Sequence, residues 1–339
     1  MALKESEAGK IVIEALKKDN GKTPNQTLAK LLFAQYPGVF INAEEARDKI
    51  RYYTGKKGSS KRIVVGKKLI PKKTHTQEQI NDRFYFPSDA ADLEDYILKP
   101  GKWGVVNDIH YPYHDTNSLE TTLEYFYKQG ITNLLLNGDS IDFYEASDFE
   151  KDRTKRSLKD ELYGFRDEML PVLIKHFAKI VFKVGNHEWR WTRYLRKQAP
   201  AVFGFEEFRL NNILRFDESN IGFVDNTQMI QAGNLDIWHG HEIRGGFFIP
   251  VNPARSAMVK YKGNIIIGHH HRTSFEPMQM ANGTAYGAWS IGALCHLRPE
   301  YYPTAHTVWN HGFGELELEE SGEFQLENWR IIKGKVRHS

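Results

Sequence analysis

Five apolar runs in this chain each end in side chains of the kind that bind metals or carry protons. "VVNDIH" ends in Asp108 and His110, "LLLNGDSID" in Asp139, "VFKVGNHE" in Asn186 and His187, "DIWHGH" in His239 and His241, and "NIIIGHHH" in His269, His270 and His271. A short apolar run bounded by turn residues reads as a buried strand. In open α/β sheets, sites form just beyond the carboxyl ends of strands. A fold that serves all these runs must therefore gather several strand ends at one crevice.

The surrounding sequence supports such a fold. "KWGVVND", "ITNLLLNGD" and "KIVFKVGNHE" read as strands, while "LETTLEYFYKQG" and "LKDELYGFRDEMLPVLIKHF" read as helices. After residue 220 the pattern is mostly strand, in "IGFVD", "QMIQAG", "LDIWHG", "NIIIGH", "GTAYGAWSIG" and "GELELEE". The expectation is an α/β fold of high strand content, with two sheets and helices outside.

The residue types select a chemistry. Carboxylates and imidazoles suit manganese, iron, zinc or cobalt, and the lack of thiolates argues against a closed structural zinc site. One Asp can bridge two cations, and a water between them is acidic enough to supply hydroxide near neutral pH. A lone Asp-x-His or Gly-Asn-His means little, because many surface loops contain one. Several in this order, each behind an apolar run, carry weight.

Those motifs, D-x-H, G-D, G-N-H-E, H-G-H and G-H-x-H, resemble the calcineurin-like metallophosphoesterase family over roughly residues 103 to 315. The resemblance implies a double β-sandwich flanked by helices, with two divalent metals, Mn²⁺ foremost, at the strand ends. It implies that Asp108, His110 and His271 hold the first metal, that Asn186, His239 and His269 hold the second, and that Asp139 bridges them. His187 then protonates the leaving oxygen or steadies the phosphoryl charge. Glu188 is expected to orient His187 or a ligand, and Asp142 is a weaker candidate for such a task or a helix cap. His241 is expected to bind no metal. In the triplet, alternation along a strand would aim His269 and His271 to one side and turn His270 away.

The N-terminal part differs in character. Residues 1 to 75 hold 17 Lys+Arg against 7 Asp+Glu, although the whole chain is only +3. Three helices are expected, in "ESEAGKIVIEALKKDNG", "TPNQTLAKLLFAQYPG" (with Leu28, Leu31, Leu32 and Phe33 at helical spacing) and "NAEEARDKIRYYTG", the last capped by Asn42. The last two, joined by "YPGVFI", read as helix-turn-helix-like, with Arg47 and Arg51 as weak nucleic-acid contacts; a bundle that binds protein is the alternative. "GKKGSSKRIVVGKKLIPKKTH", residues 55 to 75, is basic throughout, with Lys56, Lys57, Lys61 and Arg62 placed to follow a phosphate backbone. The expected division is a helical domain over 1–56, a basic linker or wing over 57–100 and a catalytic domain over 101–339.

These features favour a phosphodiesterase or nuclease acting on DNA or RNA, with Arg190, Arg193 and Tyr111 as weak substrate contacts. The alternative is a phosphomonoesterase or small-nucleotide phosphodiesterase whose N-terminal domain binds a protein. A third reading, a nucleic-acid-binding protein on an inactive fold, conflicts with the intact ligand set. "IRYYTGKKG", "SIGALCHLRPEYYP" and "WNHGFGELEL" also resemble phosphoesterases of bacteriophages and mobile elements. No apolar run approaches the roughly 20 residues needed to span a bilayer. No secretory leader is visible, so a cytoplasmic setting, bacterial or phage-infected, is expected. The single cysteine, Cys295, is read as a small buried apolar residue.

Overall fold

The computed structural model describes residues 6–19, 23–54, 94–148, 151, 157–243, 248–249, 251–298 and 307–338. The basic stretch, with Lys56, Lys57, Lys61 and Arg62, lies outside the described residues. The chain divides into two units, Met1–Ala90 and Ala91–Ser339.

The first unit contains α1 (Glu7–Asp19), α2 (Asn25–Gln35) and α3 (Ala43–Tyr53). Val12, Leu16, Leu28, Leu32, Phe40, Ile50 and Tyr53 form its core. Leu31, expected on the apolar face of α2, is instead 57% exposed. Asn42 caps α3 as expected, accepting the Glu45 N–H at 2.9 Å, and the Glu45 carboxylate accepts the Ile41 N–H at 2.7 Å. Arg47 pairs with Glu44 at 3.0 Å and Arg51 with Asp48 at 3.8 Å, so both candidate phosphate contacts already face a carboxylate of their own helix.

The second unit is a sandwich of two sheets flanked by helices, the architecture that the sequence implies. One sheet has the order β13-β12-β11-β2-β3-β4-β5, from β2 (Gly101–Val106), β3 (Asn133–Asn137), β4 (Lys179–Lys183), β5 (Gly222–Val224), β11 (His311–Leu318), β12 (Phe324–Ile332) and β13 (Lys335–His338). Its strands β2 to β5 are parallel neighbours. The other has the order β1-β6-β7-β8-β10-β9, from β1 (Tyr96–Ile97), β6 (Ile230–Ala232), β7 (Leu235–Ile237), β8 (Ile265–Ile267), β9 (Ser274–Gln279) and β10 (Ala285–Ser290). Tyr96 and Ile97, expected in the linker, thus add an edge strand paired with β6.

Strand alternation builds the layers. Trp103, Val105, Leu135 and Val181 face Ile237 and Ile266 between the sheets. Leu134, Leu136, Ile180 and Phe182 face outward, onto helices. Those helices are α4 (Thr116–Lys128) and one long helix made of α5 (Leu158–Gly164), a π-helical turn at Phe165–Met169 and α6 (Leu170–His176). Parallel strands covered on both faces must be apolar throughout, which explains the unbroken runs in the sequence. Helix α7 (Glu188–Gln198) follows β4, the short α8 (Leu210–Ile213) comes next, and α9 (Pro253–Tyr261) covers the second sheet through Ala254, Ala257 and Met258. Among the described residues, no helix is long and apolar enough to cross a membrane.

Candidate metal centre

The proposed ligands sit where β2, β3, β4, β7 and β8 give way to loops. Ten non-glycine described residues have a left-handed backbone, and five of them are Asp108, His110, Asp139, His269 and His271. Such conformations cost about 1–3 kcal/mol each unless neighbours over-determine them. Here neighbours do. The Asp108 N–H donates to the Gly138 carbonyl at 3.1 Å, the His110 N–H to the Asp139 carbonyl at 2.9 Å, and the Asn310 N–H to the His271 carbonyl at 2.9 Å. Gly138 itself has φ +87°, and a Cβ there would run into the His239 ring.

The triplet does not follow strand alternation. Strand β8 ends at Ile267, and left-handed turns at His269 (φ 62°) and His271 (φ 53°) aim the two rings separately. His271 Nε2 lies 3.1 Å from Asp108 Oδ1, whereas His269 joins His239 and Asp139. His270 enters neither group.

Four groups of potential ligand atoms result among the described residues, each within 4.8 Å: His110 with His271 and Cys295, His110 with Asp142 and His187, and two that share Asp139, namely Asp108, His110 and Asp139, and Asp139, His239 and His269. In these last two, Asp139 Oδ2 lies 3.9 Å from His110 Nε2 and 3.1 Å from His239 Nε2. His110 Nε2 faces His271 Nε2 at 3.4 Å. Asp108 Oδ1, Asn186 Oδ1 and His239 Nε2 are buried without a hydrogen-bond partner. An orphaned buried polar atom costs about 1–3 kcal/mol. Facing lone pairs and orphaned acceptors around a shared carboxylate fit a pair of cations.

The remaining nitrogens and oxygens fix this orientation. His239 Nδ1–H donates to the Asn137 carbonyl at 2.7 Å, and His110 Nδ1–H to Asp142 Oδ1 at 2.8 Å, which turns each Nε2 toward Asp139 Oδ2. Asp108 Oδ2 accepts the His269 N–H at 2.9 Å. The electrostatics agree. Burial opposes a charge on His239, but Asp139 and Asp108 outweigh it and raise its pKa to about 10. Burial would raise Asp139, but His239 and His187 hold it well below the usual carboxylate range. His269, half-buried, desolvated and close to His239, is pushed down to about 3. The carboxylates thus call for positive charge at this point.

His187 stands at the rim. Its N–H donates to Asp139 Oδ1 at 2.8 Å, and its Nδ1–H donates to the Asp142 carbonyl at 2.7 Å. Its Nε2 accepts from Arg190 Nη2 at 2.9 Å and lies 3.8 Å from Asp139 Oδ2. Arg190 is therefore at the centre, while Arg193 lies farther along α7, paired with Asp148. Tyr111, expected to touch substrate, is instead core: it is 3% exposed and its hydroxyl donates to Glu168 at 2.6 Å. His241 lies 3.4 Å from Glu242, outside these ligand groups.

Further contacts support the site. The Glu188 carboxylate accepts the N–H groups of Asp139, Ile141 and Gly185 at 3.0, 2.9 and 2.9 Å. Burial and the Asp139 charge raise its pKa to about 7, while the N–H donors pull the other way. Cys295 is buried, as expected, but its Sγ also touches His271 Nδ1 at 3.6 Å. Lys183, fully buried, pairs with Glu242 at 3.2 Å, and Glu242 accepts the Gly240 N–H at 2.7 Å, which secures the loop bearing His239. Glu188 was expected to orient a ligand; Lys183, Glu242 and Cys295 were not singled out for such a task, because only the strand register brings them to the site.

No family model matches the chain. The chain is 26% identical over 227 residues to the gene 54 protein of Mycobacterium phage L5, covering 63% of this chain and 88% of that one. The corresponding protein of phage D29 is 25% identical over the same length, with the same coverage. Among solved structures, a single mutant of Vps29 from Entamoeba histolytica aligns with TM-score 0.36 and 15% identity, covering 70% of this chain and 97% of that one. The phosphoesterase YfcE from E. coli aligns with TM-score 0.31 and 12% identity (64% and 88%), and a dimetal phosphatase from Danio rerio with TM-score 0.31 and 12% identity (68% and 96%). Likenesses this weak fix nothing about chemistry; the ligand geometry has to speak for itself.

Proposed function

We propose that the chain is a two-metal phosphoesterase of the calcineurin-like type, and most specifically a phosphodiesterase acting on DNA or RNA. The observation that carries this reading is the membership of Asp139 in two ligand groups, its Oδ2 lying 3.9 Å from His110 Nε2 and 3.1 Å from His239 Nε2, beside the orphaned Asn186 Oδ1. Asp108, His110, His271 and Asp139 would hold one cation, and Asp139, Asn186, His239 and His269 the other. When bound, such a pair supplies Lewis-acid polarisation of phosphoryl oxygens and a nucleophile drawn from water, with Mn²⁺ the favoured ion.

The protein's own groups do the rest. His187 is fixed by the Asp142 carbonyl at Nδ1, so Nε2 is the atom that can carry a proton to the leaving oxygen. Arg190, 2.9 Å from that atom, offers its guanidinium to the phosphoryl charge. Asp142 orders His110 and His187 together, at 2.8 and 3.3 Å.

The nucleic-acid part of the reading is supported by the basic sequence of residues 55–75 and by Arg190 at the centre. In this reading the helices and the basic stretch over 1–100 deliver a polyanion to the catalytic part, in the cytoplasm of a bacterium or a phage-infected host. One observation favours the alternative, a monoesterase or small-nucleotide phosphodiesterase with a protein-binding N-terminus: α3 sets Glu44, Glu45 and Asp48 against Arg47, Lys49 and Arg51, so it offers a polyanion no net charge. The test is a side-by-side assay with Mn²⁺ on single-stranded DNA, duplex DNA, RNA, bis(p-nitrophenyl) phosphate and p-nitrophenyl phosphate. Hydrolysis of polynucleotide and diester supports the first reading; hydrolysis of the monoester alone supports the second.

A further inference from the structure

Helix α7 carries a row of cations that begins at the metal centre. Arg190 touches His187 through Nη2 and donates to the Asp142 carbonyl through Nη1, each at 2.9 Å. Arg193 and Lys197 follow at spacings of three and four, which places all three on one stripe of the helix. From first to last the stripe is about 10 Å long, at ~1.5 Å of rise per residue. The other face of α7 packs inward through Leu195 and Trp189.

Arg193 and Lys197 converge on a single carboxylate. Asp148 accepts from Lys197 at 3.0 Å and is also gripped by Arg193. All three are open to solvent, with side chains 45%, 55% and 58% exposed for Arg193, Lys197 and Asp148. Asp148 belongs to the same loop as Asp142, which binds His110 and His187. So two cations hold one exposed oxyanion one to two helical turns beyond the catalytic arginine.

We propose that this stripe is a track for the backbone of a single-stranded nucleic acid. Arg190 takes the scissile phosphate, Arg193 and Lys197 take a neighbouring phosphate, and Asp148 occupies that phosphate's place when no strand is bound. The proposal rests on the phosphodiesterase reading above and names its substrate as a chain with more than one phosphate. A phosphodiester carries one negative charge and two free oxygens, like the carboxylate it displaces, and the Arg193 fork suits either. Tyr194, 39% exposed beside Arg193, adds a ring on which a base can stack. An exposed ion pair is weak enough to exchange readily.

The test compares Asp148→Asn with Lys197→Gln on a labelled single-stranded decamer, made as DNA and as RNA, and on bis(p-nitrophenyl) phosphate. If Asp148 stands in for a phosphate, Asp148→Asn lowers the decamer KM by about two- to fivefold, the scale of an exposed pair. Its turnover of the small diester stays the same. Lys197→Gln raises the decamer KM and reduces the slope of log affinity against log salt by about one. Both substitutions break the same ion pair, so a merely structural pair would shift both variants in one direction. Equal shifts, or no shift in either, overturn the proposal. Failure of the wild-type protein to hydrolyse any phosphoester defeats the phosphodiesterase reading itself. Fluorescence anisotropy of the decamer, which needs no turnover, then tests the track by the same opposed shifts.

Discussion

The Glu188 carboxylate accepts the backbone N–H of Asp139 at 3.0 Å, so one buried acid holds the residue proposed to bridge two cations. The same carboxylate receives Ile141 and Gly185, tying the end of β3 to the end of β4. Replacing it by an amide turns one acceptor into a donor facing an N–H. Glu188→Gln is therefore expected to lose about 1–3 kcal/mol of stability. Its Mn²⁺ affinity should fall about 10–100-fold, as for other supports of metal ligands. Thermal unfolding without metal and calorimetric Mn²⁺ titration check the two effects separately.

His187 is held by Asp142 and Asp139 yet enters neither group around Asp139. His187→Ala is expected to lower turnover by about 10²–10⁴-fold. Metal content should not change. Mass-spectrometric metal counting of the purified variant decides; loss of a metal would make His187 a ligand.

In the triplet, His269→Ala and His271→Ala should each lose one cation, since their rings serve different groups. His270→Ala should keep both, because its ring packs beside His269 outside the ligand groups. Equilibrium dialysis with Mn²⁺ distinguishes the three variants. Loss of metal from His270→Ala would show that the ligand assignment within the triplet is wrong.

The strand-end positions of the candidate ligands were legible because each lies behind an apolar run that parallel strands require. Asp108, Asp139 and Asn186 could be placed at strand ends without knowing which strands adjoin. The way His269 and His271 are aimed at separate groups was not legible, because left-handed turns at non-glycine residues leave no mark in composition. Nor were the contacts of Glu188 with three N–H groups, or of Cys295 with His271, since each joins distant segments. Tyr111 was misread because an aromatic next to a ligand motif looks the same whether it faces substrate or Glu168. Strands β12 and β13 lack the apolar-run-then-ligand pattern and were missed, while the π-helical turn at Phe165–Met169 lies inside an otherwise regular helical pattern.

Glu161 offers a test by pH. It is fully buried, and burial together with the Asp142 charge raises its pKa to about 8. In the unfolded chain it titrates near the ordinary value of about 4.3. Between these values the folded form holds a proton that the unfolded form has lost, so stability is complete below the lower value and declines as pH rises through the higher one. The slope reaches about 1.4 kcal/mol per pH unit. Glu161→Gln, which can still accept the Tyr144 N–H, should flatten the fall in Tm between pH 5 and 8. An unchanged pH profile would show that Glu161 folds with its charge intact.

Five strand ends are proposed to build one centre for two cations that cleaves phosphate esters. The most direct measurement is a Mn²⁺ titration of metal-free protein, with bound metal and bis(p-nitrophenyl) phosphate hydrolysis read in the same samples. Two Mn²⁺ per chain, with hydrolysis rising as the second binds and lost in Asp139→Asn, is the predicted result. Saturation at a single ion, or two ions bound with no hydrolysis of any phosphate ester, would contradict it.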